Sequence, residues 1–224
     1  MFKRAMCNLP AVGLILILFS SSISAAEPTN LSLCKQELIA YVKRGEYAQQ
    51  IAAVALAADQ YLHQRISQGA KPGEKLAIVF DIDETMLSSL SEIEANDYGY
   101  VPKAWDQWVT EGRAPAILPV QAIYDTALRG KIDIFIITGR KEGDRTGTER
   151  NLREVGYKNW TRMIFRTSKT QPALNNAEFK TAVRRKITEE GYTIVANIGD
   201  QASDLANGYA EQTFKLPNPF YLAK

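Results

Sequence analysis

The sequence holds one histidine, His63, and two cysteines, Cys7 and Cys34. A zinc centre built from His and Cys needs three or four such ligands at short spacing, so none is available here. A disulfide framework is excluded on the same count. Charge of one sign is missing as well. The 27 Lys and Arg stand against 25 Asp and Glu, which gives no case for a nucleic-acid polymer or an anionic membrane as a bulk partner. Long apolar runs are also scarce. The longest uncharged apolar run, Leu9 to Phe19, falls short of the ~20 residues that a spanning helix needs. Internal repeats and low-complexity tracts are absent.

What surrounds that apolar stretch has the layout of a secretory leader. Lys3 and Arg4 precede it and small residues, Ser20 to Ala26, follow it, so residues 1–26 read as a cleaved signal peptide. The mature chain is then 27–224, soluble and exported to the periplasm or beyond, with no membrane partner after cleavage. Removing Lys3 and Arg4 leaves basic and acidic residues in balance. Cys7 leaves with the leader. Cys34 follows the large Leu33, which does not suit a lipid-attachment site, and is expected to be a buried helix residue.

Residues 31–69 show helical spacing of apolar residues, with Gly45 dividing two helices and the stretch from Gly69 to Gly73 ending the second. Four short Val/Ile-rich runs follow: Leu76–Phe80, Ile132–Ile137, Met163–Phe165 and Thr193–Ile198. Helical patterns separate them at Val120–Arg129, Asp144–Val155 and Ala177–Glu190. This alternation predicts an α/β fold, a Rossmann-like parallel sheet with helices on both faces. Residues 31–72 would be N-terminal helices. The stretch 88–119, rich in Gly, Pro and aromatics, interrupts the rhythm and is expected to form a small lid or cap.

Polar residues gather just past the strands, the edge where open α/β sheets bind ligands. The first run ends in Asp81, Asp83 and Glu84, three acids in four positions. Close carboxylates raise one another's pKa unless a cation intervenes. A D-x-D pair alone is common in loops, but here it meets a buried strand abruptly. The last run ends in Gly199 and Asp200, with Asp204 four residues on. Hard oxygen donors of this kind suit Mg²⁺. Thr138-Gly139-Arg140 offers a hydroxyl and backbone N–H groups where an oxyanion could sit. Trp105, Trp108, Tyr98 and Tyr100 admit a base-stacking role, although aromatics at helical spacing more often serve as packing anchors. His63 is given no catalytic role, and Arg184, Arg185 and Lys186 are expected on a solvated helix face.

Taken in order, "DIDET" from Asp81, Thr138, Lys180 and "GDQASD" from Gly199 resemble the four motifs of the haloacid dehalogenase (HAD) superfamily. The chain is most similar to subfamily IIIB, the branch of bacterial class C acid phosphatases and plant vegetative storage proteins, through "DIDETMLSS", "ITGR", "NLREVGY", "GDQASDL" and "FKLPNP". The likeness runs from about Leu31 to Tyr221. It implies a HAD-like fold and a Mg²⁺-dependent phosphoric monoester hydrolase with an acidic optimum. Asp81 would be the nucleophile and Asp83 the acid and base. Thr138, Gly139 and Lys180 would hold the phosphoryl group. Asp81, the Asp83 carbonyl, Asp200 and, through water, Asp204 would hold the metal. Small phosphate monoesters are the implied partners, with nucleoside monophosphates and a broad range equally compatible, and a homodimer is left open. Many bacterial relatives are lipoproteins, which this chain does not match, and relatives often carry an aromatic where Ala202 stands. A phosphate-binding storage protein and a phosphotransferase are the competing readings; the intact Asp81 opposes the first.

Overall fold

Two helices open the described chain. The computed structural model describes residues 27–167 and 174–223, so the expected leader lies outside the described residues. Helix α1 (Leu31–Lys43) starts at Asn30, whose side chain accepts the Ser32 N–H. Gly45, at φ 75°, makes the left-handed turn into α2 (Glu46–Ser67). Tyr47, Ile51, Ala55, Ala58 and Leu62 of α2 are buried at spacings of three and four. Helix α1 buries no residue completely, and Cys34 is half-buried rather than buried. Its helix lies over α2 at the periphery instead of entering the core.

Five strands form one parallel sheet among the described residues: β1 (Lys75–Phe80), β2 (Asp133–Lys141), β3 (Arg162–Arg166), β4 (Tyr192–Gly199) and β5 (Gln212–Lys215). Their order is β3-β2-β1-β4-β5, with every pairing parallel. Between them run α3 (Leu90–Ala95), α4 (Pro102–Glu111), α5 (Leu118–Arg129), a 3₁₀ turn and α6 (Arg145–Glu154), α7 (Asn176–Glu189) and α8 (Ala202–Leu205). The α/β expectation holds. Strand β5 has no counterpart in the apolar pattern because Gln212, Thr213 and Lys215 are exposed. Strand β2 outlasts its apolar run, so Thr138-Gly139-Arg140 lies within the strand's end and not in a turn after it.

The strands alternate between two cores, as period-2 geometry requires. Ile78, Phe80, Ile134 and Ile136 pack in the larger core with residues of α2 and α5. Ala77, Val79, Phe135 and Ile137 face the other side, where Phe179 and Ile187 of α7 cover them. Residues 88–119 supply α3, α4 and the start of α5, with Pro102 and Pro119 in first turns where a missing N–H is tolerated. Trp108 is buried as a packing anchor, whereas Trp105 is only partly buried. No helix among the described residues is long and apolar enough to cross a membrane.

Candidate active site

The chain leaves the sheet centre at β1 in one direction and returns at β4 to build the other half. The C-terminal ends of these neighbouring strands therefore mark the topological switch point. Register brings them together, with Phe80 opposite Ile198 and the Asp81 N–H donating to the Ile198 carbonyl at 3.0 Å. Immediately afterwards the backbone folds back. Thr85, Met86 and Leu87 all donate to the Ile82 carbonyl, and Glu84 adopts a left-handed φ of 52°. This turn lets Asp81 and Asp83 line one cavity despite their alternate spacing.

That cavity has a volume of about 590 Å³. Asp81, Asp83, Gly139, Lys180, Asp200 and Asp204 all line it, from segments separated by more than a hundred positions. Thr138 is fully buried and its Oγ1 accepts the Arg140 N–H at 3.1 Å. Tyr100, Val101, Trp105 and Ile93 form an outer wall, and Phe220, Tyr221, Leu222 and Ala223 form another. The Tyr100 and Trp105 ring centroids are 6.5 Å apart. His63 lies on α2, exposed and 3.6 Å from Asp59, away from this cavity.

Lys180 Nζ reaches Asp81 Oδ1 at 2.5 Å and Asp204 Oδ1 at 2.6 Å, all three side chains being buried. Asp81, Asp200 and Asp204 each present an oxygen within 4.8 Å of the others. Three carboxylates thus face one ammonium; with all three ionised, two negative charges would be in excess. Burial pushes Asp81 well above the usual carboxylate range; Lys180 opposes the shift, and Asp204 and Asp200 add to it. Asp200 is pushed up to about 6, first by burial and then by Asp204. Burial would lower Lys180, but its two aspartate partners outweigh this and raise it. A divalent cation satisfies such a set: oxygen donors only, buried, and short of positive charge.

Asp83 is balanced separately. Arg140 Nη2 lies 2.7 Å from its Oδ1, and Arg140 Nε lies 3.1 Å from its Oδ2. The same guanidinium donates to Thr148 Oγ1 at 2.9 Å. Arg140 was visible in the Thr-Gly-Arg triplet, but its side-chain partner was not. Glu84 is fully buried, accepting from Tyr47 Oη at 2.8 Å and the Ser89 N–H at 2.5 Å. Burial raises its pKa to about 7 despite those donors. It fastens the turn to α2.

Two contacts shape the surroundings of Asp204. Gly199 is not at a positive φ. A Cβ there would lie 2.5 Å from Asp204 Oδ2, so the glycine makes room for that carboxylate. Arg184 is fully buried rather than solvated, because it is aimed at the main chain around α8. It donates to the carbonyls of Asp204 at 2.6 Å and Gly208 at 3.0 Å, and also to that of Ala206. Arg185, by contrast, is exposed and lies 3.7 Å from Glu189. A separate cavity of about 370 Å³ borders Arg65, Glu74 and Glu211. Its charges are already paired, at 3.2 Å and 2.9 Å.

The model of the HAD superfamily, subfamily IIIB (acid phosphatase), matches residues 16–224. The chain belongs to this family. Among its relatives, Acid phosphatase 1 of Solanum lycopersicum is 37% identical over 147 residues, covering 64% of this chain and 57% of that protein. The Stem 28 kDa glycoprotein of Glycine max is 36% identical over 152 residues, 66% of this chain and 60% of its own length. Vegetative storage protein 1 of Arabidopsis thaliana is 34% identical over 147 residues, 64% and 54% of the two chains. The matches thus span a little over half the length of these plant relatives. The class C acid phosphatase from Bacillus anthracis shares the fold, with a TM-score of 0.68 at 23% identity over 85% of this chain and 87% of that one. The HAD subfamily IIIB fold therefore frames the acidic cavity.

Proposed function

We propose that this protein is an exported, Mg²⁺-dependent acid phosphatase that hydrolyses small phosphate monoesters through an aspartyl-phosphate. The observation that carries the reading is the buried set of Asp81, Asp200 and Asp204 around Lys180, beside an Arg140-held Asp83. Membership of an acid phosphatase family supports it, and export rests on the leader-like residues 1–26.

Asp81, Asp200 and Asp204 would hold the ion with the Asp83 carbonyl, and the bound ion would offset negative charge on the phosphoryl group. An Asp81 carboxylate oxygen attacks phosphorus, forming the acyl phosphate as the bond to the ester oxygen breaks. Asp83 delivers its proton to that departing oxygen. Asp83 then removes a proton from the water that attacks the acyl phosphate, releasing inorganic phosphate and regenerating Asp81. Lys180 and the Gly139 N–H would position the phosphoryl oxygens, the dominant requirement of phosphoryl transfer. Thr138 Oγ1 accepts the Arg140 N–H and retains its own proton for donation.

The test is hydrolysis of p-nitrophenyl phosphate and nucleoside monophosphates at acidic and neutral pH, with Mg²⁺ or excess chelator. Wild-type activity should require the metal, and Asp81→Asn should abolish it. Undiminished turnover by purified Asp81→Asn would overturn the nucleophile. Inactivity of the wild type on every ester would favour a storage role, as the names of the vegetative storage relatives suggest for those proteins. Product analysis with added alcohol separates hydrolysis from phosphotransfer.

A further inference from the structure

We infer that Asn218 and Gln201 form an amide clamp that sets Asp200 for the cation and couples metal binding to the cavity wall at 218–223. The inference rests on the Mg²⁺ site proposed above. Asn218 Nδ2 donates to Asp200 Oδ2 at 2.7 Å, and Gln201 Nε2 donates to the same oxygen at 2.6 Å. A carboxylate oxygen offers about two lone-pair sites, so these donors fill Oδ2. Among the described residues, Asp200 Oδ1 receives only the Thr85 hydroxyl, at 3.2 Å. The clamp therefore chooses which oxygen remains open to an ion.

The direction of each amide is set by the segment after β5. The Phe220 N–H donates to Asn218 Oδ1 at 2.9 Å, and the Ala223 N–H donates to Gln201 Oε1 at 3.2 Å. With both amide oxygens occupied, both NH₂ groups must face Asp200. Turning either amide would set its oxygen against the carboxylate and leave a backbone donor without an acceptor. Phe220 and Ala223 also line the cavity. A continuous chain of contacts thus runs from the metal-facing carboxylate, through two amides, to the wall against which a leaving group would rest. Anything that fixes Asp200 favours the ordered wall, and an ordered wall favours cation binding to the same extent.

Asn218 is a positioning residue in this scheme, and its effect is measurable without turnover. In Asn218→Ser the shorter hydroxyl still accepts the N–H two residues on but does not reach Asp200. Calorimetric titration of metal-free protein with Mg²⁺ should show a Kd about 10- to 100-fold weaker than wild type, with the melting temperature of the metal-free protein nearly unchanged. Hydrogen exchange on the wild type should show Mg²⁺ slowing the Phe220 and Ala223 amides. An unchanged Kd in folded Asn218→Ser overturns the clamp while leaving the phosphatase reading intact. Absence of Mg²⁺ binding by the wild type overturns both. Should Asn218→Ser not fold, the wild-type exchange decides: amides at 218–223 indifferent to Mg²⁺ overturn the coupling.

Discussion

Asp83 and Arg140 show how one side chain can fix another's task. The guanidinium spans both carboxylate oxygens and is itself fixed by Thr148. Its pKa is raised because Asp83 outweighs the lowering effect of burial. Lysine keeps the charge but presents a single point of attachment, so it does not reproduce this fork. Arg140→Lys should therefore let Asp83 swing from its line with a leaving oxygen. Misplacement by about 1 Å can cost around 100-fold in rate, and a kcat loss of that order is expected with KM little changed. Steady-state kinetics on p-nitrophenyl phosphate checks the split; a rise in KM at constant kcat would place Arg140 in substrate binding instead.

Elements carry the site as much as residues do. Helix α8 spans only Ala202–Leu205, too short to hold itself by its own hydrogen bonds. Arg184 of α7 fastens it by donating to three successive alternate carbonyls, those of Asp204, Ala206 and Gly208. Asn197 of β4 adds a donor to Asp204 at 2.9 Å. Burial lowers the Arg184 pKa to about 10, which keeps it charged at physiological pH. Arg184→Met should remove these bonds. The Asp204 carbonyl keeps Asn197 and that of Gly208 is open to water. With about 1–3 kcal/mol per buried acceptor left unsatisfied, denaturant unfolding should show a loss of about 1–3 kcal/mol. Mg²⁺ affinity should fall with it, since Asp204 is fixed by the same contacts. A variant with wild-type unfolding would show that solvent replaces Arg184 at no cost.

For the whole molecule, the acidic centre makes stability depend on both protons and metal. In the metal-free protein burial raises Asp200 to about 6 and Glu84 to about 7. Raised pKa values mean that the folded state binds protons more tightly than the unfolded chain. The stabilisation is complete below the unfolded values, near pH 4, and is lost as pH rises through about 6 to 7. Without metal, the melting temperature should accordingly fall between pH 5 and 7.5. Added Mg²⁺ replaces the protons, so its stabilising shift should be large at pH 7.5 and shrink below about pH 6, where protons compete for the ligands. Thermal melts with Mg²⁺ or chelator across that range test both parts. A shift independent of pH would mean that the ion binds away from these carboxylates.

The sequence by itself determined the alternating strands and helices and the acids that close β1 and β4. Local pattern is enough for these: Val/Ile runs buried on both faces report strands, and carboxylates just beyond them report the ligand edge. Even the aspartates, Lys180 and Gly139 that share the cavity were legible by position. Tertiary structure alone decided what holds them. Strand β5 pairs with β4 through its backbone, so its exposed side chains carried no signal. Arg184 occupies a helix whose charge run suggests a wet face, yet the carbonyls it satisfies lie on another element. Asn218 and Gln201 are ordinary amides until folding brings a shared carboxylate between them. Periodicity records which face of an element is buried, but a hydrogen-bond partner distant in the chain is chosen only when the sheet closes around the site.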